Sequence, residues 1–152
     1  MRIMPIRKDT IQLPQEDLLG ECIRILHEGR SVLLKAKGSS MYPFIRDGDT
    51  VLLQRCGEVR RGDVVLARTE KGKLVMHRVL AMKGERIALM GDANLRKTEL
   101  CLRSDIAGTV IAITREGKTR GCATTSERFR AGVWMAMLPL RRILLAVMRK
   151  MK

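Results

Sequence analysis

Aromatic side chains are scarce in this chain, with one Trp, one Tyr and two Phe among 152 residues. Binding of single-stranded nucleic acid relies on such rings for stacking, so that class of function has little to build on. The four cysteines, Cys22, Cys56, Cys101 and Cys122, are far apart and form no Cys-x-x-Cys pair. That spacing argues against a zinc site and for free thiols in a reducing compartment, with no metal or other cofactor called for. Nowhere does an uninterrupted apolar run approach the ~20 residues that a spanning helix needs. A helix-turn-helix takes two helices and a tight turn, and only one helical pattern precedes the β-rich region. Acidic residues are few, 16 against 30 Lys and Arg, which leaves a net charge of +14 and points to a polyanion, either nucleic acid or an anionic membrane face. With no stacking rings and no DNA-reading motif, nucleic acid is the weaker of the two. The opening Met1-Arg2-Ile3-Met4-Pro5-Ile6-Arg7 carries charge too close to its apolar residues for a signal peptide. The chain therefore reads as cytoplasmic, with the inner face of the membrane as the place for any peripheral contact.

What is present divides into three stretches. Residues 1–30 hold one helix, over 14–28, where Pro14 suits the first turn and Gly29 the end. Leu18, Leu19, Cys22, Ile23 and Leu26 share a face at helical spacing, for packing on a barrel. Residues 31–115 read as short strands over 31–37, 50–54, 63–68, 73–81, 86–90 and 106–114, cut by Gly-containing turns such as Asp47-Gly48-Asp49 and Lys83-Gly84-Glu85. Such spacing predicts a mainly β domain, a small, partly closed β-barrel. Residues 116–152 loosen and then turn helical from Ser126-Glu127 through Met137, with Pro139 as a break and a second piece over 140–148. From 120 onward there are eight Lys/Arg and one acid, +7 in all. This basic amphipathic tail has two readings, an interfacial helix on an anionic leaflet or a helix packed on the barrel.

The chemistry concentrates in Lys37-Gly38-Ser39-Ser40-Met41-Tyr42-Pro43-Phe44-Ile45-Arg46-Asp47-Gly48-Asp49. Gly38 frees the backbone and Pro43 stiffens it, so the segment can present a hydroxyl in a fixed place. A serine hydroxyl needs a neighbouring base to take its proton as it attacks a carbonyl. His77, in the apolar run Val75-Met76-His77-Arg78-Val79, has the right unperturbed pKa for that duty. A carboxylate on the far ring nitrogen would fix the tautomer, and Asp92 in Met90-Gly91-Asp92-Ala93-Asn94 is the first candidate.

Ser-Met-x-Pro, then His-Arg-Val, then Gly-Asp-Ala-Asn, in that order, resembles the type I signal peptidase and LexA-type serine peptidase clan over roughly residues 31–113. Within the clan the chain looks like the Ser-His-Asp branch, because His77 stands where most bacterial members carry a lysine. The resemblance implies the same barrel fold and a serine endopeptidase that cuts a leader or precursor peptide, or itself, by acyl transfer through Ser40 and His77. Met41 and Pro43 would then border the substrate. Two departures accompany the resemblance. A second acid past the Gly-Asp step often orients the histidine in that branch, which makes Glu99 the alternative to Asp92. The family's hydroxyl-then-glycine order before the nucleophile is reversed here as Gly38-Ser39, so the oxyanion donors would be the Ser40 N–H and the Ser39 side chain. The alternative function is a catalytically weak peptide-binding or membrane-surface adaptor on the same fold.

Overall fold

The computed structural model describes residues 15–55, 57–122 and 124–151. The readings of the N-terminal charge pattern, of Pro14 and of Cys56 lie outside the described residues. Helix α1 (Gln15–His27) leads into strands β1 (Val32–Lys35), β2 (Thr50–Gln54), β3 (Val64–Arg68), β4 (Leu74–Lys83), β5 (Arg86–Met90), β6 (Glu99–Leu102), β7 (Ile106–Arg115) and β8 (Lys118–Gly121). Two helices close the described chain, α2 (Thr125–Ala136) and α3 (Arg141–Lys150), joined by a single 3-10 turn at Leu138–Leu140.

All strand pairs are antiparallel, in the order β1-β2-β7-β3-β4-β5-β6, with β8 on the remaining length of β7. The sheet curls into a half-barrel. Register shifts at Leu52/Leu53, Leu66/Ala67 and Val79/Ala81 are where the ladder slips. An extra residue in one strand bends it and raises its twist, which helps a sheet with two ten-residue strands, β4 and β7, to curl.

Strand β3 shows why both sides of the sheet are filled. Side chains alternate across a strand, and Val64 and Leu66 join a core with Leu26, Met41, Ile45, Val51 and Val110. Val65 and Ala67 join a second core with Val75, Val79, Ile87, Leu89 and Cys101. Helix α1 covers the first core through Cys22 and Leu26.

Two strands escaped the sequence reading. Strand β8 occupies a stretch expected to be loose. Its hairpin turns on Glu116 and Gly117, both at positive φ (50° and 76°), between the paired residues Arg115 and Lys118. That is the backbone a two-residue hairpin loop demands. Strand β6 pairs Leu89 with Glu99 and Ile87 with Cys101, in a stretch assigned no strand. Helix α2 also starts earlier than Ser126, because Thr124 is its N-cap and accepts from the Glu127 N–H at 3.4 Å.

The tail folds back onto the half-barrel. Ala131, Trp134, Arg141 and Leu145 are buried. Trp134 meets Phe44 edge-on at 5.9 Å and donates its indole N–H to the Asp92 carbonyl at 3.1 Å. Arg141, which the sequence pattern places as a break in an apolar run, is 1% exposed and lies over the Trp134 ring at 5.4 Å. It donates to the Trp134 carbonyl at 3.1 Å, and its burial lowers its pKa.

Candidate active site

Strand β4 delivers two adjacent side chains to opposite faces of the sheet. His77 and Arg78 are both almost buried, at 7% and 6% exposure. Residue alternation sends His77 to the face shared with Val75 and Val79, and Arg78 to the other.

The carboxylate beside His77 belongs to Glu99. Nδ1 of His77 lies 2.8 Å from Oε2 of Glu99, with both side chains largely buried. Neither atom makes an aligned hydrogen bond among the described residues, so each has only the other, by charge and proximity, to answer its burial. Burial lowers the pKa of His77 below its usual 6.5, against the opposing pull of Glu99. At neutral pH the ring is uncharged, the form that accepts a proton.

Asp92, the first candidate for that position, is elsewhere. Its two oxygens accept from Arg78 Nε at 2.7 Å and Nη2 at 2.6 Å. The pair is buried on the Arg78 face, where a carboxylate must answer the guanidinium, and no hydrogen bond joins Asp92 to His77. The same guanidinium donates to the Gly62 carbonyl at 2.7 Å and stacks on Phe44 at 4.8 Å.

Ser40 sits in the loop between β1 and β2, exposed, while Met41 and Ile45 beside it anchor in the first core. The loop is held at several points. Gly38, at φ 90°, donates its N–H to Asp47 Oδ1 at 2.8 Å. Ile45 N–H returns to the Met41 carbonyl at 3.0 Å, one helical turn after the serine, and the Tyr42–Pro43 peptide is cis. Arg115 and Arg120, from the β7–β8 hairpin, both donate to the Phe44 carbonyl. Arg115 also grips Asp49 at 2.8 and 2.6 Å. The arginine clamps are not visible in the loop's own sequence, since they come from some 70 residues downstream.

Gly91 brings the loop to the histidine. The Ser40 carbonyl accepts from the Ala93 N–H at 2.9 Å. A Cβ at position 91 would stand 2.6 Å from that carbonyl oxygen, 2.8 Å from Asn94 Nδ2 and 3.2 Å from His77 Nε2. Only glycine lets these groups converge.

Ser40, His77, Glu99 and Asn94 line one cleft of about 330 Å³. No hydrogen bond joins the Ser40 hydroxyl to His77 within it. Met41 forms part of its wall, but its side chain is 4% exposed and belongs to the core, so it supports the cleft rather than presenting a substrate surface. Pro43 is not part of the wall, nor is Ser39, whose side chain faces solvent. Lys37, Lys73 and Lys97 stand around the rim, and Lys73 adds to the lowering of the His77 pKa. Among the described residues no cluster of His, Cys, Asp and Glu has the makings of a metal centre.

The comparison with known protein families bears on the family and the fold. A family model described as Peptidase S24-like matches residues 3–111. It takes in α1 and all the residues of the cleft, begins well before the motif-bearing stretch from residue 31, and ends within β7. The β8 hairpin arm and both C-terminal helices lie beyond the matched residues.

Proposed function

We propose that this chain, which belongs to the Peptidase S24-like family, is a serine endopeptidase with Ser40 as nucleophile, His77 as general base and Glu99 as the acid that positions the ring. The observation that carries the reading is the buried 2.8 Å contact between His77 Nδ1 and Glu99 Oε2 in a cleft that also holds Ser40. A proton on Nδ1, held by Glu99, leaves Nε2 with its lone pair free to take the hydroxyl proton.

In the first step the Ser40 Oγ–carbon bond forms as the hydroxyl proton moves to Nε2. Negative charge gathers on the carbonyl oxygen, which the Ser40 N–H would meet; Ser39, exposed and outside the cleft wall, supplies no second donor in this arrangement. The Nε2 proton then goes to the leaving amine as the C–N bond breaks. Water, deprotonated by the same nitrogen, releases the acyl group. The substrate is an extended segment of a leader or precursor protein. Residues 74–77 of β4 pair with β3 on one side only, since β5 joins β4 from Arg78 onward, and β1 is the terminal strand of the sheet. Unpaired strand edges beside the cleft suit a peptide that adds as a strand.

The test requires no knowledge of the substrate. A fluorophosphonate, which forms a covalent bond with an activated serine, should label the protein once, on Ser40 by peptide mapping. The label should vanish in Ser40→Ala and fall steeply in His77→Ala. Labelling at another residue, or undiminished labelling of His77→Ala, would rule the reading out.

A further inference from the structure

The C-terminal helices are amphipathic in a way the half-barrel does not use up. Their inward side buries Ala131, Trp134, Arg141 and Leu145 and borders a cavity of about 470 Å³ between α2 and the sheet. Their outward side nevertheless carries six large apolar residues. Phe129 (73% exposed) and Val133 (40%) stand one turn apart on α2. Leu140, Ile143, Val147 and Met151 follow at intervals of three and four residues, at 51%, 64%, 50% and 82% exposure. That spacing puts them on one stripe of α3 and the turn before it. A stripe of this kind has no role in folding the domain, and water is a poor neighbour for it.

We propose that this outward face is a docking surface for an anionic lipid bilayer. The charges around it select the occupant. Arg142, Arg149 and Lys150 flank the stripe and have no acidic partner among the described residues, while Arg128 and Arg130, on either side of Phe129, are paired with Asp63 and Glu127. The one acid from residue 120 onward, Glu127, is already engaged by Arg130 and Arg120. An apolar stripe bordered by the unpaired Arg142, Arg149 and Lys150 fits the boundary between acyl chains and anionic headgroups, with the apolar side chains below and the cations among the phosphates.

The helices lie on the bilayer and do not cross it. No single helix among the described residues is long and apolar enough to span, and α2 and the following helical segment meet at a 69° bend. Straightening the pair would pull Arg141 off the Trp134 carbonyl and ring and place its guanidinium in hydrocarbon. The bend keeps that cation inside the protein and leaves the opposite face free. Because Trp134 also holds the Asp92 carbonyl and packs on Phe44, a docked tail would rest directly behind the loops that carry Ser40 and Gly91.

The experiment is flotation of the full chain with phosphatidylcholine vesicles, with and without phosphatidylglycerol, at low and high salt. The emission of Trp134, the only tryptophan and a buried one, reports whether each variant is folded. Wild-type protein should float with the anionic vesicles only. Burying one large apolar side chain shifts a partition by about tenfold or more, so Ile143→Asp/Val147→Asp should lower binding by about 100-fold or more. Each cation near an anionic surface adds about fivefold, so Arg142→Gln/Arg149→Gln should cost about 25-fold and leave a smaller salt dependence. If the first pair disturbs Trp134, Phe129→Ser/Leu140→Ser probes the same face by a milder change and should also release the protein. Wild-type protein that stays in solution overturns the proposal. So does anionic binding that survives the apolar changes, which would mean bulk charge alone. A wild-type dimer that Ile143→Asp/Val147→Asp splits, with no vesicle binding, would mean that a second copy covers the face.

Discussion

Replacing Gly91 by alanine adds one carbon at the point where the serine loop meets the histidine. That carbon would fall 2.6 Å from the Ser40 carbonyl oxygen, where ordinary contact begins near 3.4 Å. The oxygen is backbone, tied to the Ala93 N–H at 2.9 Å, so it cannot swing aside as a flexible side chain would. Either the Ser40 loop or the Gly91 turn must retreat by about 0.8 Å, and the Nε2 contact at 3.2 Å opposes movement toward the histidine. Misplacing reacting groups by this order of distance costs about 10²-fold in rate, whereas overpacking one methyl costs about 1–3 kcal/mol of stability. Gly91→Ala should therefore remain folded and react with a fluorophosphonate about 10–100 times more slowly. Gly132→Ala is the control, because nothing lies within 4 Å of a Cβ there; it should keep the full rate and gain slightly in helix stability. A Gly91→Ala protein that labels at the wild-type rate would refute the argument that this glycine sets the distance between nucleophile and base.

Two further outcomes follow from the buried charges. Asp92→Asn removes half of a buried pair and leaves Arg78 uncompensated, so unfolding should become easier by roughly 3–5 kcal/mol in urea titrations, with a smaller effect on the pH dependence of Ser40 labelling than any change at Glu99. The lowered pKa of His77 means that the folded protein binds that proton less readily than the unfolded chain. Its contribution to stability is complete above about pH 6.5 and is lost as pH falls through the folded value. Asp49, also lowered, loses its contribution only below about pH 3.8, as Arg115 gives up its carboxylate. Urea midpoints should thus decline between about pH 7 and 5 in wild-type protein and hold nearly level in His77→Gln.

The strand pattern and the order of the motifs were legible because each depends on neighbours in sequence. Val64 to Ala67 alternate into two cores and read as a buried strand, and Ser40, His77 and Gly91 stand in motif order. The partner of His77 was legible only as a choice between Asp92 and Glu99. Asp92 adjoins a recognisable Gly-Asp step, but whether it faces His77 or Arg78 depends on the face to which β4 sends each side chain. Glu99 reaches His77 only because β6 pairs with β5, and with that strand unrecognised its register could not be counted. Arg115 and Arg120 act on the Ser40 loop across the sheet, a contact made by β2–β7 pairing and a hairpin whose turn, Glu116-Gly117, was the one local sign of it. In the tail, the apolar and basic residues were countable, but their division between sheet and solvent was not. Arg141 turning inward and Ile143 outward is settled by Trp134 and Met90, residues that no periodicity connects.

The assignment of Glu99 as the positioning acid is tested most directly by the pH dependence of Ser40 labelling in wild-type protein and in Glu99→Gln. Wild-type labelling should rise through a single ionisation below about pH 6.5 and then level off, since burial holds the His77 pKa down. Glu99→Gln takes away the group that supports the protonated ring, so the plateau should fall by about 10²–10⁴-fold and the limb should move to more acidic pH. An unchanged plateau and limb in Glu99→Gln, or a wild-type limb above about pH 8, would contradict the Ser40, His77 and Glu99 arrangement.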